Sequence, residues 1–98
     1  MRIYELIVEP GREGHIARHH VTVDEVEEAT FGNPFVTRTR HGRYRLIGQT
    51  DAGRHLTIPS ALLRTGIVAP RGRGVYGLVT ARDADDPERR RYQEHRRR

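Results

Sequence analysis

Cysteine is absent from this 98-residue chain, which excludes a disulfide framework, a thiolate metal site and a cysteine nucleophile. Lysine is absent too: all 18 Lys+Arg positions are arginine. No long apolar run exists; the stretch Ile3 to Val8 is interrupted by Glu5 and is too short for a signal peptide or a membrane span. A cytoplasmic protein with no membrane partner is therefore expected. Metal-ligand spacing is equally scarce. His15 and His19 stand at i and i+4, but a third ligand at a recognisable spacing is missing, as is an H-E-x-x-H signature, so neither a metal nor a cofactor is expected. No internal repeat is visible, and 35% hydrophobic content suffices for one small core, not two, which predicts one domain over residues 1–98.

What is present is basic charge, a net +5 with a pI near 10.6. Restriction to arginine matches a GC-rich genome. It also suits a nucleic-acid or acidic-protein partner, because the planar guanidinium forks onto phosphate and stacks on bases. A merely soluble basic surface is the alternative.

The pattern predicts an α+β fold: an N-terminal strand, two short helices, an antiparallel four-stranded meander sheet and a C-terminal helix. Arg2 to Glu9 alternates as a strand and ends at Pro10-Gly11. A short helix from about Arg12 to His19 or His20 follows, then a helix from Val23 to Phe31 that stops at Gly32-Asn33-Pro34. Phe35 to Arg40, Arg43 to Gln49 and His55 to about Leu62 read as strands separated by His41-Gly42 and by Asp51-Ala52-Gly53, both with hairpin-turn chemistry. Pro59 suggests an edge position or a bulge. Arg64 to Gly74 reads as an exposed, mobile loop, and Val75 to Arg82 as the clearest strand, with Arg82 on the side of Tyr76, Leu78 and Thr80. A last helix runs from about Pro87 to His95, with residues 93–98 an Arg-rich tail expected to fray.

The segment H-I-A-R-H-H-V-T-V-D-E-V-E-E-A from His15 to Ala29 carries the strongest local signal. With Thr22 as N-cap, Glu25 completes a capping box and Val21 and Val26 are spaced as a hydrophobic staple, while Asp24 and Glu25 favour the positive end of the helix dipole. The helix then buries Val26, Ala29 and Phe31 and shows Glu27 and Glu28 to water. Asp85 and Glu88 repeat the capping-box spacing, with Pro87 suited to a first helical turn.

This segment, followed by G-R-Y-R-L-I-G-Q-T-D-A-G-R-H-L-T and V-T-A-R-D-A-D-D-P-E-R-R-R-Y, resembles the BrnT toxin family. Its members carry a Lys/Arg-His-Gly-Val helix corner, a Gly-Arg strand pair and a late Ser/Thr-Ala-Arg strand before a Glu-Arg-x-x-Tyr helix. The match runs in order from His15 to Tyr92. It implies a RelE-like fold and the toxin half of a type II toxin-antitoxin pair. Such a toxin inhibits translation by cleaving RNA, ribosome-associated mRNA included, and is silenced by a cognate DNA-binding antitoxin. Arg18 and His19 fall on the family's Lys/Arg-His pair. Two features depart from the family: the loop from Arg64 to Gly74 is longer, and His20 stands where the family has Gly, at a helix end that often needs positive φ.

Metal-free RNA cleavage requires a base for the 2′-hydroxyl proton, an acid for the departing 5′-oxygen and cations for the phosphorane charge, roles that His and Arg fill. His15, Arg18 and His19 lie on one helix face by spacing, so His19 is the expected proton-transfer group, helped by Arg18 and Arg82, with His15 as a second acid or base. The plainer role for His19 or His20 is to complement the helix dipole and bond its last carbonyls. Arg82 needs a partner, either a substrate phosphate or Asp83, Glu88 or another carboxylate. Arg43, Arg45 and Arg54 form a candidate RNA-binding stripe or a solvated sheet face. Arg89 and Tyr92 extend that candidate surface, Tyr92 either packing on the sheet or stacking on a base, and Arg96 to Arg98 add salt-dependent affinity. A noncatalytic module that binds RNA or an antitoxin-like protein is the rival reading.

Overall fold

Two capping boxes decide where the longer helices begin. The structure, a computed structural model, describes residues 2–40, 43–65 and 73–97. The elements run β1 (Arg2–Ile7), α1 (Arg12–Ala17), α2 (Val23–Gly32), β2 (Phe35–Arg38), β3 (Arg43–Gln49), β4 (His55–Thr65), β5 (Arg73–Leu78), β6 (Arg82–Asp83) and α3 (Asp86–Arg96). At α2 the Thr22 hydroxyl accepts from the Glu25 amide at 3.1 Å and the Glu25 carboxylate accepts from the Thr22 amide at 3.0 Å. Asp85 and Glu88 make the same reciprocal pair at α3, both bonds 2.9 Å. Such a cap contributes about 1 kcal/mol.

The chain forms an α+β fold on one six-stranded sheet, not the four-stranded one expected, in the order β1-β5-β4-β3-β2 with β6 also pairing β4. The pairs from β2 to β5 are antiparallel; β1 lies parallel to β5. The expected strand Val75–Arg82 is split. β5 ends at Leu78, the Val79 and Thr80 amides turn to donate to the Pro59 carbonyl at 3.1 and 3.4 Å, and Arg82–Asp83 then pairs with Leu56 and Thr57 of β4. Arg82 therefore does not share the face of Leu78 by simple alternation.

Pro59 is not at an edge. It lies in central β4 opposite Arg45 of β3. In an extended strand the N and C=O of one residue point the same way, and the Pro59 carbonyl faces Val79 and Thr80, so its missing N–H falls at the seam between β5 and β6. The β3 ladder loses nothing.

Along β3, Tyr44 and Leu46 alternate with Arg45 and Ile47. Tyr44 and Leu46 join Leu56, Ile58, Leu78 and Ala81 against Ile16, Val21, Val26 and Ala29 of the α1–α2 layer. Ile47 faces the other way and packs with Ala84, Tyr92 and Phe35 beneath α3. The sheet is thus covered on both faces. Each fully buried Leu or Ile contributes about 1.5–3 kcal/mol. Gly48 lets α2 sit directly on β3: a Cβ there would lie 2.3 Å from the Ala29 carbonyl oxygen.

Other boundaries shift for identifiable reasons. Phe31 was expected inside but is 51% exposed. Thr30, four residues after Val26, takes the inward position because helical neighbours recur every three or four residues, and Phe31 points away. Glu9 lies beyond the end of β1. The hairpin turn at Asp51-Ala52-Gly53 forms with Gly53 at φ 96°, the left-handed residue that a three-residue hairpin loop needs. Arg64, Thr65, Arg73 and Gly74, expected in a loop, are strand residues. The rest of that loop and the His41-Gly42 turn lie outside the described residues. α3 continues through Gln93 to Arg96, where fraying was expected, because its last turn is held: Gln93 meets His55 at 3.2 Å and Arg96 donates to Gln49 at 3.0 Å.

Candidate functional site

The corner between α1 and α2 is built by backbone hydrogen bonds. The Val21 amide bonds the Ile16 carbonyl at 3.3 Å and the His20 amide bonds the Ala17 carbonyl at 3.0 Å, the two bonds of a Schellman motif. His20 occupies its left-handed position, with φ 58°. The motif's hydrophobic partners, Ile16 and Val21, are both in the core. Val26 joins them, so the Val21/Val26 staple and the Schellman contact share one apolar cluster. The side chains of His15, Arg18, His19 and His20 stay exposed.

Arg54, just after the β3–β4 turn, ties this corner to β6. Its Nη1 donates to the His20 carbonyl at 2.6 Å and to the Glu25 carboxylate oxygens at 3.2 and 3.1 Å. Nη2 donates to the His19 carbonyl at 3.2 Å, and Nε to Asp83 Oδ1 at 2.7 Å. Both carbonyls lie in the turn just past α1, outside any helix or strand ladder, and a guanidinium with five N–H donors supplies their partners. The capping bond from the Thr22 amide lowers the pKa of Glu25, with Arg54 adding to the effect. Arg54 is the main cause of the lowered pKa of Asp83.

One residue away, Arg82 grips Glu88 through two parallel bonds, Nη1 to Oε1 at 2.8 Å and Nη2 to Oε2 at 3.0 Å. Arg45 stands 3.6 Å from the same carboxylate. Glu88 is 4% exposed. Burial raises its pKa, but the Arg82 bonds and the Asp85 amide prevail and lower it to about 2. The carboxylate that caps α3 therefore also organises two arginines.

The expected site residues separate into three sets. His15 and His19 come together, their rings edge to face with centroids 6.4 Å apart. Arg18 lies beside them, and among the described residues its guanidinium has no hydrogen-bond or ion-pair partner. Arg82 and Arg45 meet at Glu88, linked to the corner only through Asp83 and Arg54. Arg43 is exposed on the same strand face as Arg45. Arg89 pairs with Asp86 and reaches the Ala84 carbonyl at 3.4 Å. Tyr92 is 3% exposed, packed against Ile47 and Ala84 with its ring 5.6 Å from that of His55.

His55 escaped the sequence reading. Desolvation beneath α3, then the charges of Arg89 and Arg96, lower its pKa. The clamp role of Arg54 was equally hidden, since no spacing connects residues 25, 54 and 83; the pairing of β6 with β4 does so.

A 1.1 Å crystal structure of the Brucella abortus ribonuclease toxin BrnT matches 88% of this chain and 100% of its own, with a TM-score of 0.53 and 20% sequence identity. The chain is similar in fold to a ribonuclease toxin. At that identity the likeness to BrnT concerns the fold alone. No protein-family model and no curated protein matches the sequence. Among the described residues no group of three or more His, Asp or Glu side chains could hold a metal ion, and no helix is long and apolar enough to cross a membrane.

Proposed function

We propose that the chain is a BrnT-like toxin of RelE-like fold, acting in the cytoplasm, that cleaves RNA without a metal and is neutralised by a cognate DNA-binding antitoxin. The single observation that carries the reading is the Arg54 clamp. One guanidinium bonds the His19 and His20 carbonyls on one side and Asp83 on the other, in a fold similar to that of a ribonuclease toxin. This fastens the corner that bears Arg18 and His19 to β6 through Asp83, while the neighbouring Arg82 side chain turns to Glu88 on the α3 side of the sheet.

In the proposed reaction His19 removes the 2′-hydroxyl proton, the 2′-oxygen attacks phosphorus and the bond to the 5′-oxygen breaks. His15 serves as the second proton-transfer group by returning a proton to the leaving oxygen. Arg18 meets the phosphate beside the histidines, and Arg82 approaches the RNA backbone from the α3 side of the strand end. Arg82, its side chain 41% exposed, donates to both Glu88 oxygens and to the Asp83 carbonyl at 3.2 Å, which leaves two of its five N–H donors. Arg43, Arg45 and Arg89 supply flanking charge for the RNA backbone. Arg54 is a positioning residue, and Tyr92 belongs to the core.

A second reading, a noncatalytic module that binds RNA or an antitoxin-like protein, draws on the same Arg82–Glu88 pair, since an arginine already held by a carboxylate has a structural reason to exist. Expression of the chain separates the two. The enzyme reading expects growth arrest that is relieved by His19→Ala or Arg82→Ala in variants that still fold. Harmless expression with intact cellular RNA favours the module.

A further inference from the structure

On the opposite side of the sheet from the histidine corner, α3 and the first residue of β2 enclose a pocket of about 140 Å³ lined by Phe35, Arg91, Glu94 and His95. Arg91, Glu94 and His95 are spaced i, i+3 and i+4, so they share one face of α3. The Phe35 and His95 rings lie 5.1 Å apart at 33°, and the Arg91 guanidinium sits 5.5 Å from the Phe35 centroid. Among the described residues the Glu94 carboxylate has no hydrogen-bond or ion-pair partner, and Arg91 has only its ring contact. The Nε2 atom of His95 is buried without a hydrogen-bond partner.

We propose that this pocket is a nucleobase subsite that takes a guanine of single-stranded RNA. The inference rests on the reading of the chain as an RNA-binding protein and adds what the RNA must contain. Drug-sized ligands occupy clefts that start at roughly 300 Å³; this pocket has room for a single planar ring system. Phe35, His95 and Arg91 offer the aromatic and guanidinium planes on which splayed-out RNA bases stack. Glu94 supplies selectivity. An ionised carboxylate only accepts hydrogen bonds; guanine presents two adjacent donors, N1–H and the N2 amine, whereas adenine places the lone pair of N1 there. His95 lies two helical turns beyond Glu88, about 10.5 Å at 1.5 Å per residue. A base seated here therefore belongs to a nucleotide flanking the one beside Arg82.

The test uses the full chain and fluorescein-labelled 2′-O-methyl pentaribonucleotides, which lack the attacking hydroxyl, with G, A, C or U at the centre of a uridine background. Anisotropy titrations at low salt should show G bound at least about fivefold more tightly than A, the lower end of what one bidentate base contact confers. Glu94→Ala, at an exposed helix position, should shrink that ratio below about twofold. Phe35→Leu should weaken all four probes together by removing the stacking plane. Equal affinity for the four bases, as expected of a pocket that takes a protein side chain, overturns the proposal, as does a G preference that survives Glu94→Ala. Guanine-selective binding of these probes, with no cleavage of the same sequences carrying free 2′-hydroxyls, would sink the ribonuclease reading and leave this site standing. Cleavage without guanine selectivity does the reverse.

Discussion

His20→Gly should make the protein more stable, although it deletes a whole side chain. His20 holds φ 58° at the close of the α1 Schellman motif. A residue with a Cβ costs roughly 1–2 kcal/mol in the left-handed region, because Cβ crowds the following carbonyl. Glycine escapes that cost but loses more backbone freedom on folding, about 0.5–1 kcal/mol. The difference leaves a gain of about 0.5–1 kcal/mol. The lost contacts are few, since His20 is exposed and its carbonyl, the group that Arg54 holds, remains in the glycine variant. For a chain of this size that gain raises Tm by roughly 2–8 °C. Thermal melts followed by far-UV circular dichroism, with His20→Ala alongside, provide the check. Alanine keeps the Cβ, so it should gain nothing. A glycine variant that melts at or below the wild type, or an alanine variant that gains as much, would refute the reasoning.

Arg54→Ala removes the bonds between the corner and β6 and should cost about 1–3 kcal/mol by urea titration, with Arg54→Lys recovering little because an ammonium lacks the guanidinium fork. Gly48→Ala drives a methyl into the α2 backbone and should cost about 1–3 kcal/mol in the same assay. Acid should destabilise the protein through Glu88: its folded pKa is lowered to about 2 from 4.5, so the stabilisation is complete above pH 4.5 and lost as pH falls toward 2. Glu88→Gln should lower Tm at neutral pH and flatten the pH dependence in that window. His55, whose folded pKa is lowered, should give an earlier decline as pH drops below about 6.5, absent from His55→Gln.

Short-range chemistry was legible in the residues themselves. The Thr22/Glu25 and Asp85/Glu88 boxes depend only on i to i+3 spacing, and the limits of β3 and the positive φ of Gly53 follow from alternation and turn type. Positive φ at His20 was foreseeable because the residue stands at a helix end just before the Thr22 cap, a position that often needs it. What depended on distant partners was not legible. The parallel docking of β1 on β5, the break that sends Arg82 to β4, and the shelter of Pro59 at the β5–β6 seam each require knowing which strands are neighbours. The same limit hid the clamp: Arg54 read as one of three stripe arginines until Glu25 and Asp83 were brought to it.

The most direct measurement is incubation of purified chain with single-stranded RNA in excess EDTA, followed by gel and end-group analysis, for wild type and His19→Ala. The expected result is cleavage by the wild type to 2′,3′-cyclic phosphate and 5′-hydroxyl ends, with His19→Ala slower by about 100-fold or more at an unchanged melting temperature. Intact RNA with the wild type, or a His19→Ala variant that cuts as fast, would contradict the assignment of the corner as a catalytic site.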